Sequence, residues 1–207
     1  MIELVASRSA PLRLLADQAF SRTAGAPLVG GNQVRLLKDA AENFPAWLDA
    51  IRAAERSIFF ESYIVGDDAT GREFRDALAA KARAGVRVRV LHDWLGSPGK
   101  FVPGFWRPLV AAGATVRTFN PPRFDSPLGW LQRDHRKSIC VDGCVAYVSG
   151  LCVAAAWLGD PAAGKEPWRD TGIEIRGPGV ADVERAFAQV WAVTGAQLGN
   201  DELTDPA

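Results

Sequence analysis

Histidine is scarce in this chain: two residues in 207, against 24 Lys plus Arg and 24 Asp plus Glu. Any nucleophilic or proton-transfer chemistry through imidazole therefore falls on His92 or His135. Cysteine occurs three times, an odd number without paired metal-type spacing, which argues against a disulfide framework and a zinc-type site. Cys140, Cys144 and Cys152 lie in apolar runs, where reduced thiols of a cytoplasmic protein are expected to pack as small core residues. No run of about 18 or more apolar residues is present and the N-terminal stretch has no signal-peptide pattern, so the chain is not expected to span a membrane by itself. There is no excess of either charge; the formal net charge is zero, unlike the basic balance of a protein that grips nucleic acid regardless of sequence. What remains is 48% hydrophobic residues with an ordinary charged fraction, the composition of one sizeable folded domain.

Periodicity sets the order of elements. Residues 11–24 read as a short amphipathic helix ending in a glycine-rich loop, and residues 1–31 as an N-terminal helical segment. Residues 33–37 form a strand, followed by a helix with Phe44, Trp47, Leu48 and Ile51 on one face and Pro45 in its first turn. Residues 57–65 are the first central strand. Thr70-Gly71-Arg72-Glu73 has the spacing of a capping box and opens a helix that stops at Gly85, before a strand over 86–91. A strand, a crossover helix and a strand imply a parallel pair, and residues 105–119 repeat the unit. Residues 120–132 carry three prolines and no period, a long loop of the kind that usually serves function. A hairpin, a strand over 171–175 and a helix over 180–194 follow, and residues 196–207 form a polar, mobile tail. The expected fold is an α/β sandwich around a mixed, largely parallel sheet, with the main domain over 32–195.

The informative stretch is Asp134-His135-Arg136-Lys137-Ser138-Ile139-Cys140-Val141-Asp142-Gly143, which holds the pattern His-x-Lys-x-x-x-x-Asp once. On a strand, side chains repeat every two residues, so His135 and Lys137 share a face and can reach one anion, while Asp142 falls at the Asp-Gly turn off that face. An imidazole beside a fixed cation suits nucleophilic chemistry on an anionic group. Glu61 and Tyr63 share a strand face and are expected to line the same pocket.

His135, Lys137 and Asp142 resemble the HKD motif of the phospholipase D superfamily, and residues 32–191 look like the first half of a bacterial cardiolipin synthase. Supporting runs are Phe59-Phe60-Glu61-Ser62-Tyr63-Ile64, Gly85 to Asp93, and Pro167-Trp168-Arg169-Asp170-Thr171. The resemblance implies a phospholipase D-like α-β-α sandwich and a phosphatidyltransferase that uses phosphatidylglycerol, with water as acceptor in the hydrolase alternative. It assigns His135 as the residue that becomes phosphohistidine, Lys137 as phosphate ligand, Asp142 as loop support and Asp170 as the carboxylate behind the imidazole, with no metal and no cofactor. Ser149 and Gly150 belong to its substrate-binding turn. Two departures accompany it. Where the family has Gly-x-Asn after the hairpin, this chain has Gly150-Leu151-Cys152, and a thiol cannot replace an amide donor. The family site also uses two HKD motifs face to face, and this chain has one, so the second is expected from a partner domain or from a homodimer. A homodimeric phosphodiesterase or nuclease and a non-catalytic half are the remaining alternatives. Working on a phospholipid further implies peripheral contact with the cytoplasmic face of the cell membrane, for which Phe101, Phe105 and Trp106 beside Lys100 and Arg107, and Phe124, Leu128, Trp130 and Leu131 beside Arg123 and Arg133, are the candidate docking residues.

Overall fold

The computed structural model describes residues 3–96, 104–122 and 131–205, with side chains from residue 12 onward. It divides into two units, residues 1–32 and 33–207. The first is a helix, α1 (Glu3–Ala24), closed by Gly25 at φ +65°; it begins earlier than the apolar pattern predicts and carries Pro11 inside it.

The second unit runs β1 (Gln33–Lys38), α2 (Asp39–Ala53), β2 (Ser57–Ser62), α3 (Ala69–Arg83), β3 (Arg87–Asp93), α4 (Arg107–Ala111), β4 (Thr115–Phe119), β5 (Ser138–Val141), β6 (Val145–Ser149), β7 (Thr171–Arg176) and α5 (Gly179–Val193). The seven strands form one sheet in the order β1-β7-β6-β5-β2-β3-β4. The sheet is mixed, as the sequence pattern predicts, but only β2-β3 and β3-β4 are parallel. The other four pairings are antiparallel. The reason is topological. Crossover helices produce parallel neighbours, whereas β5 enters next to β2 from the far end of a long connection, the hairpin reverses into β6, and β7 and β1 each reverse again.

Alternation along the strands builds two cores. Ile58, Phe60, Val88, Val90, Ile139 and Val141 face α2, α3 and α4, whereas Phe59, Leu91, Cys140 and Ala146 face α5 through Val180, Phe187 and Trp191. Pro45 lies deeper than the first turn, since α2 starts at Asp39, and the cap of α3 is Asp68, whose carboxylate accepts from Gly71 N–H at 3.0 Å, rather than Thr70. Cys144 is exposed beside the hairpin turn, unlike the buried Cys140 and Cys152. Phe105 is buried beneath the Arg75 guanidinium at 5.1 Å, and Trp106 stacks at 5.3 Å on His92, so these two pack as core rather than as free docking rings. Lys100, Phe101, Arg123, Phe124, Leu128 and Trp130 lie outside the described residues. Among the described residues no helix is long and apolar enough to cross a membrane.

The tail does not hang free. Leu198 and Leu203 pack on the α5 core, Arg87 and Arg89 pair with Asp201 and Glu202 at 3.2 and 2.8 Å, and Glu184 accepts from Thr204 N–H at 2.8 Å. A single helix cannot cover that face of a seven-stranded sheet, and the tail closes part of the remainder. Between tail and sheet lies a polar cleft of about 380 Å³ lined by Arg56, Arg87, Asp142 and Asp201.

The hairpin turn is pinned by Asp142. Asp142 and Gly143 both adopt left-handed backbone, at φ +56° and +65°, and Cys144 N–H donates to Val141 C=O at 2.9 Å. The Asp142 carboxylate accepts from the backbone N–H of Glu55, Arg56 and Ser57 at 2.8, 2.7 and 2.8 Å, tying the turn to the start of β2. Replacing Asp142 with Ala removes both acceptor oxygens with their three hydrogen bonds and places an ordinary residue in left-handed backbone, at an expected cost of about 2–3 kcal/mol in urea denaturation. Asp142→Asn, which tolerates that backbone and keeps one acceptor oxygen, should lose roughly half as much. An unchanged midpoint in Asp142→Ala would show that these bonds carry no net stability.

Candidate active site

The chain reaches His135 by crossing the C-terminal ends of the three parallel strands, where ligands gather in α/β sheets. Each strand end supplies an anchor. Asn120, after β4, donates through Nδ2 to Gln132 C=O at 3.0 Å. Asp93, which ends β3 at 1% exposure, accepts from Arg133 Nη1 and from Asp134 N–H, both at 2.9 Å. Glu61, near the end of β2, accepts from Arg136 Nη2 at 2.7 Å and from Ser138 Oγ at 2.8 Å.

His135 and Lys137 emerge together on the other side. Lys137 Nζ lies 3.1 Å from His135 Nδ1 and also donates to His135 C=O. Tyr63 closes the pair, with its ring 4.5 Å from the imidazole and 5.2 Å from the Lys137 ammonium. Burial pulls the ammonium below its ordinary pKa, opposed by Cys152, Asp134 and Asp170. Cys152 is buried on the floor of this group, and burial pushes its thiol up while the Lys137 charge opposes. The position where the resemblance expects an amide is thus occupied by a thiol beside the Lys137 ammonium.

Asp170 approaches from the turn before β7. A Cβ on Gly150 would fall 2.1 Å from Asp170 Oδ1, so the carboxylate occupies the space that glycine leaves. Its Oδ1 accepts from Thr171 N–H at 2.8 Å, its backbone N–H donates to Asp39 Oδ1 at 3.0 Å, and its C=O accepts from Asp39 N–H at 2.8 Å. Arg169 pairs with the same Asp39 at 2.8 Å. Asp170 lies near enough to Lys137 to support its charge and makes no hydrogen bond to His135. Ser149, on β6, donates N–H to Lys137 C=O at 3.2 Å and Oγ to Leu151 C=O at 3.2 Å, so its hydroxyl is engaged in the turn. Asp142 sits at the opposite end of β5, roughly 15 Å along the strand from Lys137.

Glu61 and Tyr63 part company. β2 ends at Ser62, so the alternation expected from sequence does not extend to Tyr63, which packs with the α2 side core and His135. Glu61 turns the other way, toward Arg136 and, through it, Ala186 of α5. Burial, then the charge of Asp134, lifts the Glu61 carboxyl to about 7 against the pull of Arg136 and Ser138. Asp134 and Arg136 were not singled out by sequence reasoning, Asp93 reads there as a polar strand terminus, and Arg133 as a docking cation, whereas the structure turns it inward onto Asp93. The signal was present: in an extended segment, residues 134, 136 and 138 must face opposite to 135 and 137. His92 is buried, with Nε2 at 3.1 Å from Thr118 Oγ1, and burial drives its imidazole down to about 4.

The family model of the cardiolipin synthase, PLD-like domain, matches residues 47–157, more than half of the chain. The chain is 34% identical to cardiolipin synthase A of Pseudomonas syringae pv. syringae (strain B728a), a match covering 99% of this chain and 42% of that protein. Against the cardiolipin synthase of Halalkalibacterium halodurans it is 35% identical over 90% of its own length and 37% of the relative's. It therefore spans about two fifths of the length of these curated relatives. Among solved structures, a phospholipase D family member, Nuc from Salmonella typhimurium, superposes with a TM-score of 0.61 at 18% identity, over 81% of this chain and 98% of that one. NucT from Helicobacter pylori does so with 0.56 at 9% identity, over 81% and 99%. With an α/β fold, a single His-x-Lys pair at the strand ends and a family model that matches over half its length, the chain belongs to the family of cardiolipin synthase phospholipase D-like domains.

Proposed function

We propose that this chain is a phosphatidyltransferase of the cardiolipin synthase type that works through a phosphohistidine and takes its second HKD motif from another domain or another copy. The observation that carries the reading is the Lys137 ammonium seated on His135, 3.1 Å from Nδ1, with Tyr63 against both rings and charge. His135 Nε2 attacks the phosphorus of phosphatidylglycerol, the N–P bond forms as the P–O bond to glycerol breaks, and the departing oxygen takes a proton from the second motif. The acceptor alcohol then gives up its proton to that same group, attacks phosphorus, and returns His135. Lys137 stabilises the phosphate oxygens.

The Lys137 contact bears on the tautomer. When the ammonium donates to Nδ1, the imidazole proton sits on Nε2, where it blocks attack. A phosphate that draws Lys137 to its own oxygens releases Nδ1 to take the proton, and Asp170 is the nearby carboxylate available to support it. Two anionic groups near one cation then compete, which is why the buried Lys137 must keep its charge. The substrate being a membrane lipid, the chain is placed at the inner face of the cell membrane as a peripheral protein, and exposed Leu131 next to Arg133 is the described part of the segment that would meet it.

Three outcomes test this. His135→Ala should reduce transfer from phosphatidylglycerol to background with the melting temperature unchanged, and Lys137→Ala should lose about 10²–10³-fold. Product analysis with added glycerol separates transfer from hydrolysis, and cleavage of single-stranded DNA in place of lipid would replace the reading with the nuclease one. Second, activity should follow the associated species in sedimentation, since this chain holds one motif. A strict monomer at full turnover would overturn the two-motif scheme. Third, His92 is unsuited to be the missing acid, being neutral down to about pH 4. Because its folded pKa lies below the ordinary 6.5, the stability it contributes is present above that value and is lost as pH falls from 6.5 toward 4. His92→Gln should keep turnover within about two-fold and flatten the loss of melting temperature over that window; a variant without turnover would return His92 to the mechanism.

A further inference from the structure

Residues 132–137 carry the nucleophile, yet they precede β5 and lie outside the sheet ladder. One backbone bond reaches them from a strand, Ser149 N–H to Lys137 C=O at 3.2 Å. A side chain that must present its ring to phosphorus is thus mounted on backbone that strand pairing does not fix. The side chains on the opposite face of the segment are held firmly. Arg136 donates through Nε and Nη2 to Glu61 Oε1 at 3.2 and 2.7 Å and through Nη2 to Ala186 C=O at 2.8 Å. Ser138 Oγ donates to Glu61 Oε2 at 2.8 Å, so both carboxylate oxygens are taken. Arg136 N–H donates to Asp134 Oδ1 at 3.3 Å, and Asp134 N–H to Asp93 at 2.9 Å. We infer that Glu61, acting through Arg136, is a positioning residue that fixes the backbone and ring direction of His135, and is not the substrate ligand its place in the sequence suggests.

Three features favour this over the alternatives. Glu61 is 2% exposed and its oxygens are engaged, which leaves nothing to offer a substrate. It faces α5, across the sheet from the Tyr63 side. A pair with a buried carboxylate and a half-exposed guanidinium is also a poor source of stability, because the desolvation of Glu61 offsets much of the attraction and an apolar replacement of similar volume commonly matches it. What an apolar pair does not reproduce is direction: three hydrogen bonds converge on one carboxylate, and with a fourth to Ala186 C=O they orient the guanidinium whose backbone adjoins His135.

The activity arm of the test rests on the phosphatidyltransfer reading. Glu61→Ala should lower the melting temperature and lower kcat by about 10²-fold with KM within two-fold, the signature of a misplaced reacting group. The paired variant Glu61→Met with Arg136→Leu should recover the melting temperature without recovering kcat. Recovery of both would reduce the pair to a structural element, and a rise in KM at unchanged kcat would make Glu61 a substrate ligand; either result overturns the inference. An arm independent of the reaction uses the two histidines of the chain. In the Glu61→Gln protein the His135 ring resonances should shift and broaden while those of His92 stay in place. Unchanged His135 resonances would overturn the inference even if transfer is found, and a wild type inactive on phosphatidylglycerol with shifted His135 resonances would fault the substrate assignment alone.

Discussion

The segment that bears His135 is held by buried carboxylates at the ends of two neighbouring strands, and the rest of the site depends on that arrangement. Asp93 receives the chain as it arrives, with Arg133 and the Asp134 N–H on its two oxygens, and Glu61 receives it as it leaves, with Arg136 and Ser138. Charges this deep are costly unless every lone pair is used. Here every oxygen of the two carboxylates accepts at least one hydrogen bond, and those bonds go into fixing a stretch of chain that the ladder does not reach. His135 and Lys137 then need no further help to meet, because extended backbone puts them side by side. Tyr63, whose carbonyl occupies the space that a side chain on Gly96 would need, packs its ring against both.

What was legible in the sequence was what is local. The His-x-Lys spacing, the strand–helix–strand order and the apolar face of α2 each depend on residues a few positions apart, and each appears in the structure. The direction of strands was not legible, because pairing between β5 and β2 or between β7 and β1 joins residues about 80 and about 140 positions apart. The same limit explains Glu61: two-residue alternation is a rule for strands, and nothing in Ser62-Tyr63 announces that β2 stops there. The tail read as mobile because its composition is polar, yet Asp201 and Glu202 find arginines on β3 that only the folded sheet brings beneath them. Asp170 was reachable by resemblance, but its dependence on Asp39 and on the missing side chain of Gly150 belongs to tertiary structure.

The chain supplies half of what its proposed chemistry asks. A nucleophile, a cation and a nearby carboxylate are grouped around one spot, whereas the proton for the leaving oxygen has no source in the single remaining histidine. His92 is locked against Thr118 and kept neutral by burial. Relatives more than twice as long fit the view that the other half of the reaction lies on a second domain. Cys152 distinguishes this chain further. A thiol beside Lys137 neither donates strongly nor carries charge, so the cation faces phosphate with one less competitor and one less helper.

The two ends of the central strands are built by different means. At the site end of β3, Asp93 is sealed beneath bonded neighbours, while at the other end Arg87 meets the tail across a polar cleft through an ion pair with Asp201 that is largely open to solvent. Such pairs contribute little and weaken with salt. Sensitivity to salt is therefore graded along a single strand: screening reaches the contact at Arg87 and leaves the buried carboxylate at Asp93 largely untouched. Ionic strength can thus loosen the hold of the tail on the base of the sheet while the geometry at its top is undisturbed.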